Sequence, residues 1–183
     1  NVSISGGSET LRYLVSIGHN YQDGMYYNSA TNYSQVNFRS NIDAKLSKNI
    51  RLSVDLQGNQ EKRNYSGITG DGALNPFWAM NRAYPYLPAK WPNGLPGPDV
   101  EYGANSTVIV TDATGYDKNI AYIMQSNVKL DITIPWVSGL SITGNLAIDK
   151  NIQTRKLFMK PWYLYTLTGF DANDEPILVK GKR

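Results

Sequence analysis

The sequence predicts an all-β fold, an antiparallel meander of long amphipathic strands, and three observations carry that reading. Apolar and polar residues alternate with period two over long stretches, as successive side chains on a strand must. Thirteen tyrosines, four tryptophans and sixteen glycines favour strands and aromatic-rich loops over helices. Three strand pairs are joined by short turn sequences that keep partner residues on a common face.

Strands are expected at residues 1–6, 9–22, 36–46, 50–62, 120–134 and 140–156. In the first hairpin, matching Ile4 with Leu11 and Val2 with Tyr13 leaves Gly7 and Ser8 as a glycine-first turn of type II′. In the second strand Leu11, Tyr13, Val15 and Ile17 oppose Arg12, Ser16 and Gly18, with Leu14 breaking the pattern. In the next hairpin Val36, Phe38, Ile42, Ala44 and Leu46 alternate with Asn37, Arg39, Asn41, Asp43 and Lys45. Its return strand sets Ile50, Leu52, Val54 and Leu56 against Arg51, Ser53, Asp55 and Gln57. Matching Leu46 with Ile50 leaves a loop in which Asn49 is expected to be left-handed. That register sets Lys45 against Arg51, with a diagonal contact from Asp43 to Arg51 as relief. In the last hairpin Tyr122, Met124, Val128, Leu130, Ile132 and Ile134 face one way, as do Leu140, Ile142, Leu146 and Ile148. Matching Ile134 with Leu140 leaves "PWVSG", where Pro135 ends the ladder and Gly139 offers a permissive turn position.

The other connections are long: "DGMYYNSATNYSQ", the segment 64–119, and a tyrosine-rich tail after the sixth strand. Short turns at one end and long loops at the other match transmembrane β-barrels of the outer membrane. An apolar face about ten residues tall also fits the roughly 9 to 11 residues with which a tilted strand crosses a bilayer. On this reading the apolar face meets lipid and the charged face meets a lumen. A soluble extracellular β-sandwich that binds glycans is the alternative, with its apolar faces turned inward upon each other.

Composition excludes several chemistries. There is no cysteine, so no disulfide framework, thiolate metal site or cysteine nucleophile, and the one histidine, His19, rules out a two-histidine metal motif. A net charge of +3 from interspersed charges does not form the clustered basic face of a nucleic-acid binder. No apolar run is long enough for a transmembrane helix. No signal peptide or initiator methionine opens the chain, and "NVSISGG" begins as though already inside a strand, so an internal piece of a larger protein is expected.

The opening "NVSISGGSETLRYLVSIGHNYQDGM" resembles the barrel repeats of SusC/RagA-like TonB-linked outer-membrane transporters. The resemblance rests on Asn1, Val2, Ser3, Ser5, Gly6, Gly7, Tyr13, Ser16, Tyr21, Gln22, Asp23 and Gly24, and continues through Phe38, Arg39, Asn41, Ile42 and Asp43. It is good over residues 1 to about 60, fair over 120–150 and thin in the long loop; "GHNY" at 18–21 departs slightly from the usual strand ending. The resemblance implies a barrel of about 22 strands in the bacterial outer membrane, filled by its own plug domain. It implies capture of an oligosaccharide or peptide with a SusD-like lipoprotein, and import driven by TonB. The chain would hold about six strands of that barrel, residues 1–183, without the plug, and six strands cannot close a barrel.

The expected lumen wall is Arg39, Asp43, Lys45, Arg51, Asp55, Lys129, Asp131 and Asp149, suited either to solvation and mutual ion pairing or to contact with a plug or polar solute. In the long loop Asn75 and Pro76 are placed to cap and start a short helix, and five prolines from Pro85 to Pro98 hold the chain extended. There Trp78, Tyr84, Tyr86, Trp91 and Tyr102 supply flat faces for substrate or lid contact, or form the loop's own core. Trp136 reads as an interface anchor beside a short turn, with Tyr13, Tyr21, Tyr26 and Tyr27 towards the other interface. "DANDE" at 171–175 reads as a turn, lacking the spacing of a calcium loop. His19 lacks a serine pattern or paired acid for a triad. A hydrolase would need two convergent carboxylates such as Asp71 and Asp99, which nothing in the sequence pairs. No cofactor, metal or catalytic residue is expected.

Overall fold

The computed structural model describes residues 1–68, 74–99 and 101–181. Its main sheet contains β1 (Val2–Gly7), β2 (Leu11–Asp23), β3 (Asn32–Lys45), β4 (Ile50–Ser66), β5 (Gly115–Thr133) and β6 (Ser141–Met159), in that order. This is an antiparallel meander. A separate hairpin pairs β7 (Tyr165–Phe170) with β8 (Pro176–Lys180). Between β4 and β5 lie the short helices α1 (Pro76–Asn81) and α2 (Ser106–Ile109). All six expected strands are present, and β3, β4, β5 and β6 extend several residues further into the expected loops. The β7–β8 hairpin is an addition, although "YTLTGF" carries a period-two signal and "DANDE" is the turn that joins it.

The chain forms two compact units. The first contains residues 1–22, 34–62 and 119–154, and consists of strands and tight turns. Its β1–β2 register differs from expectation: Val2 pairs with Ile17, Ile4 with Val15 and Gly6 with Tyr13. The shift is four residues, an even number, so every side chain keeps its face. Two contacts account for it. The Ser8 hydroxyl accepts the N–H groups of Thr10 (3.3 Å) and Leu11 (3.2 Å), moving the reversal from Gly7–Ser8 to Glu9–Thr10. The Tyr13 ring lies across Gly6, where a Cβ would come within 2.8 Å of its hydroxyl oxygen.

The β3–β4 hairpin turns as expected, with the Leu46 N–H donating to the Ile50 carbonyl at 2.9 Å. Asn49 is not left-handed; the Ser47 hydroxyl closes the loop by accepting its N–H at 3.2 Å. The Ser53 hydroxyl donates to Asp43 at 2.6 Å, so serine takes the cross-strand place expected of the Arg51 diagonal. In the β5–β6 turn the Ile134 N–H donates to the Leu140 carbonyl at 3.0 Å, and Gly139 has the positive φ, 78°, that its position predicts.

The second unit contains residues 23–33, 63–118 and 155–183. Its core is small: Ala79, Ala104, Ile109 and Val110, with Tyr26 and Leu74 packed against it. Asn75 caps α1 by accepting the Phe77 N–H at 3.0 Å, and Pro76 follows it as the expected helix start. Asn105 organises the proline-rich turn. Its Oδ1 accepts the Thr107 N–H (3.0 Å) and hydroxyl (2.7 Å), capping α2, while its Nδ2 reaches the carbonyls of Ala89 (3.1 Å), Gly97 (3.2 Å) and Pro98 (3.4 Å). Asn105 is 6% exposed, so these carbonyls lose their partner in a place water reaches poorly.

Asn105→Ala should destabilise this unit by about 2 kcal/mol, combining a lost cap of about 1 kcal/mol with under-satisfied buried carbonyls. Asn105→Asp restores the cap but turns a carboxylate towards three carbonyl oxygens, and should rescue little. Hydrogen exchange and proteolysis of residues 74–110 measure both.

Candidate functional site

Alternation fixes two opposed faces in the first unit, and their chemistry differs sharply. On one face the apolar residues stay in solvent: Ile4 is 63% exposed, Ile142 56%, Leu146 61% and Ile148 61%. Val15, Ile17, Phe38, Ile42, Leu56, Tyr122, Met124 and Val128 are exposed as well. No described residue of this unit belongs to the buried apolar core, which lies wholly in the second unit. A contiguous apolar surface beyond a few hundred Å² marks a surface that meets another apolar phase.

The other face is polar, and the register assembles its charges. Asp43, Lys45, Arg51, Lys129 and Asp131 line one depression of about 290 Å³. Arg39, Asp55 and Asp149 line another of about 300 Å³. All eight expected wall residues therefore occupy two sites. They are cross-bonded: Thr143 donates to Asp131 at 2.6 Å, Lys129 lies 3.1 Å from Asp131, Arg39 donates to Asn41 at 3.0 Å, and Asn41 donates to Asp55. Several of these charges are engaged by neighbouring side chains, which gives a partly exposed polar surface of interspersed donors and acceptors.

The second unit holds the loop aromatics. Trp78, Tyr84, Tyr86 and Tyr102 are exposed, and Tyr84 stacks on Tyr86 with ring centroids 5.5 Å apart. Tyr102 is held left-handed at φ 51°, followed by Gly103 at φ 77°. Trp91 differs. It is half-buried, and its indole N–H donates to the Tyr165 carbonyl at 2.9 Å, which makes it a brace between the loop and β7. Trp162 braces in the same way, donating to the Gly103 carbonyl at 2.9 Å.

Beside these lies a groove of about 690 Å³, lined by Met25, Tyr26, Phe77, Met80 and Val110. Sequence reading did not single out Met25, Phe77, Met80 or Val110. Their signal was present, since two flexible methionines beside aromatics suit an adaptable apolar surface, but no sequence spacing brings the 25–28 segment to α1. Tyr26 meets Phe77 edge-on at 5.7 Å and packs on the core of the second unit. Tyr13, Tyr21, Tyr27 and Trp136 are exposed, Trp136 at 82%.

The remaining candidates resolve locally. Asp99 accepts the Gly103 N–H at 3.0 Å, which makes it a turn residue, and Asp71 lies outside the described residues. His19 does meet a serine, with Nε2 3.2 Å from the Ser34 hydroxyl across β2 and β3. Asp171 organises the β7–β8 turn: its Oδ1 accepts the N–H groups of Glu175 (2.9 Å) and Asn173 (2.8 Å), and Asp174 is left-handed at φ 66°. The Glu175 bond first, then that of Asn173, holds the Asp171 carboxyl below the usual carboxylate range. Among the described residues no group of three acidic or histidine side chains could hold a metal.

Neither a protein-family model nor a curated protein matches this sequence.

Trp91→Phe should cost about 1 kcal/mol through the lost hydrogen bond, whereas Trp78→Phe should stay within about 0.5 kcal/mol; thermal melts compare them. The lowered Asp171 pKa implies stability that is complete above the ordinary aspartate value and lost as pH falls through the lowered folded value. Amide shifts of Asn173 and Glu175 should report that transition, and Asp171→Asn should abolish it.

Proposed function

We propose that this chain forms part of the wall of a transmembrane β-barrel in a bacterial outer membrane, belonging to a TonB-dependent transporter of the SusC/RagA kind. The observation that carries this reading is the pairing of an uncovered apolar face with an internally bonded polar face. An apolar face left in water is costly, at about 25 cal/mol per Å², and a lipid bilayer removes that cost. The strand dimensions support the same reading. The apolar band that runs from Leu140, just before β6, to Ile148 within it matches the roughly 9 to 11 residues needed to cross. Strands of 17 and 19 residues continue past it, as barrel strands that support external loops do.

In this role the charged wall faces the lumen and the plug domain, and the loop aromatics with the adjoining apolar groove face outside. Trp78, Tyr84, Tyr86 and Tyr102 present ring faces to an incoming oligosaccharide or peptide, or to a SusD-like lipoprotein above it. The chain carries no chemistry of its own in this role; TonB supplies the work. A glycan-binding β-sandwich would need a second apolar layer over the exposed face of β1–β6, and the described residues provide none.

Without detergent the chain should aggregate, and detergent should recover it as β-structure by circular dichroism and size-exclusion chromatography. A detergent-free monomer that melts cooperatively would overturn the membrane reading.

A further inference from the structure

Where β5 and β6 run through the second unit, one face carries a cationic cluster. Within β5, Tyr116, Asp117 and Lys118 are consecutive, so Asp117 points away from the face that Tyr116 and Lys118 share. On β6, Arg155 and Lys156 are likewise divided. The result is a separation of charge. On one face Arg155 grips Asp117 through two hydrogen bonds, Nε to Oδ1 at 3.0 Å and Nη2 to Oδ2 at 2.7 Å, and Asp117 is 2% exposed. On the opposite face the Lys118 and Lys156 ammonium groups lie 4.8 and 5.9 Å from the centre of the Tyr116 ring, and Phe158 packs against that ring at 5.6 Å.

Neither lysine has a carboxylate partner among the described residues. Both are exposed, and Lys118 shares a polar cleft of about 500 Å³ with Asp112, Tyr116 and the Asn32–Asn64 amide pair. Alternation assigns Lys118 to the face of Tyr122, four residues further along β5, and Lys156 to the face of Ile148 on β6. On the membrane reading the lysines follow the apolar band in sequence, at strand positions of the same parity, where a strand passes from hydrocarbon into the headgroup layer.

We propose that Lys118, Lys156 and Tyr116 form a binding site for the phosphorylated headgroup of an outer-leaflet lipid. Two ammonium groups on one aromatic ring concentrate positive charge that Asp112, in the same cleft but in no ion pair with either, does not cancel, and a phosphate monoester supplies the complement. The Tyr116 ring and the Asn32 and Asn64 amides offer stacking and hydrogen bonds to the sugar or polyol that bears the phosphate. This inference rests on the membrane reading above.

The test is binding of the full chain, transferred from detergent, to vesicles of phosphatidylcholine alone or with ten per cent phosphatidic acid, followed by flotation. The wild type should prefer the anionic vesicles, and Lys118→Gln/Lys156→Gln should lose about fivefold of that preference per lysine. Lys48→Gln/Lys180→Gln, which removes the same charge at two exposed positions outside the site, should keep it. Equal flotation with both lipids, or an undiminished preference in Lys118→Gln/Lys156→Gln, overturns the site while the membrane reading stands, and leaves the lysines for a protein partner. Failure to float with any vesicle overturns both.

Discussion

The structure depends on one constraint: neighbouring residues on a strand must point to opposite faces. Everything in the first unit follows from how the sequence uses that rule. Apolar residues fall on one face and charged residues on the other, over strands too long for ordinary sheet packing. The described apolar residues of this face stay exposed, so hydrophobic burial within the unit is slight, and its order comes from backbone ladders and polar cross-strand pairs.

The second unit solves the opposite problem. Its loops must hold a shape with a core of a few small side chains, so buried polar groups carry much of the organisation. Asn105 ties a helix cap to three carbonyls, Arg155 is bound bidentately to Asp117, and two tryptophans spend their N–H groups on backbone oxygens. Such bonds are directional, and they fix the backbone of the loops while the rings of Trp78, Tyr84, Tyr86 and Tyr102 stay exposed. Alternation still operates where β5 and β6 enter this unit. It separates Asp117 and Arg155 from Lys118 and Lys156, and so turns a nearly balanced sequence into two faces of different charge.

Local rules were legible where they depend on adjacent residues. The strands, the Leu46–Ile50 and Ile134–Leu140 turns, the left-handed Gly139 and the Asn75–Pro76 helix start all follow from short-range sterics and hydrogen bonding. The β1–β2 register escaped because Gly7 and Ser8 satisfy a turn rule while the Ser8 side chain and the Tyr13–Gly6 contact favour another turn two residues on. Parity alone cannot separate registers that differ by an even number. The polar wall was legible as a set, since a common face requires only alternation; its division into two depressions was not.

The sequence by itself determined the all-β class, the positions of the strands and the separation of apolar from charged faces, because each is set by period-two geometry within a few residues. Only the tertiary structure decided which aromatics are braces and which are free, which acids are neutralised, and that the apolar face has no cover among the described residues. Those outcomes depend on contacts between segments distant in sequence, such as Trp91 with Tyr165, and no local pattern encodes them.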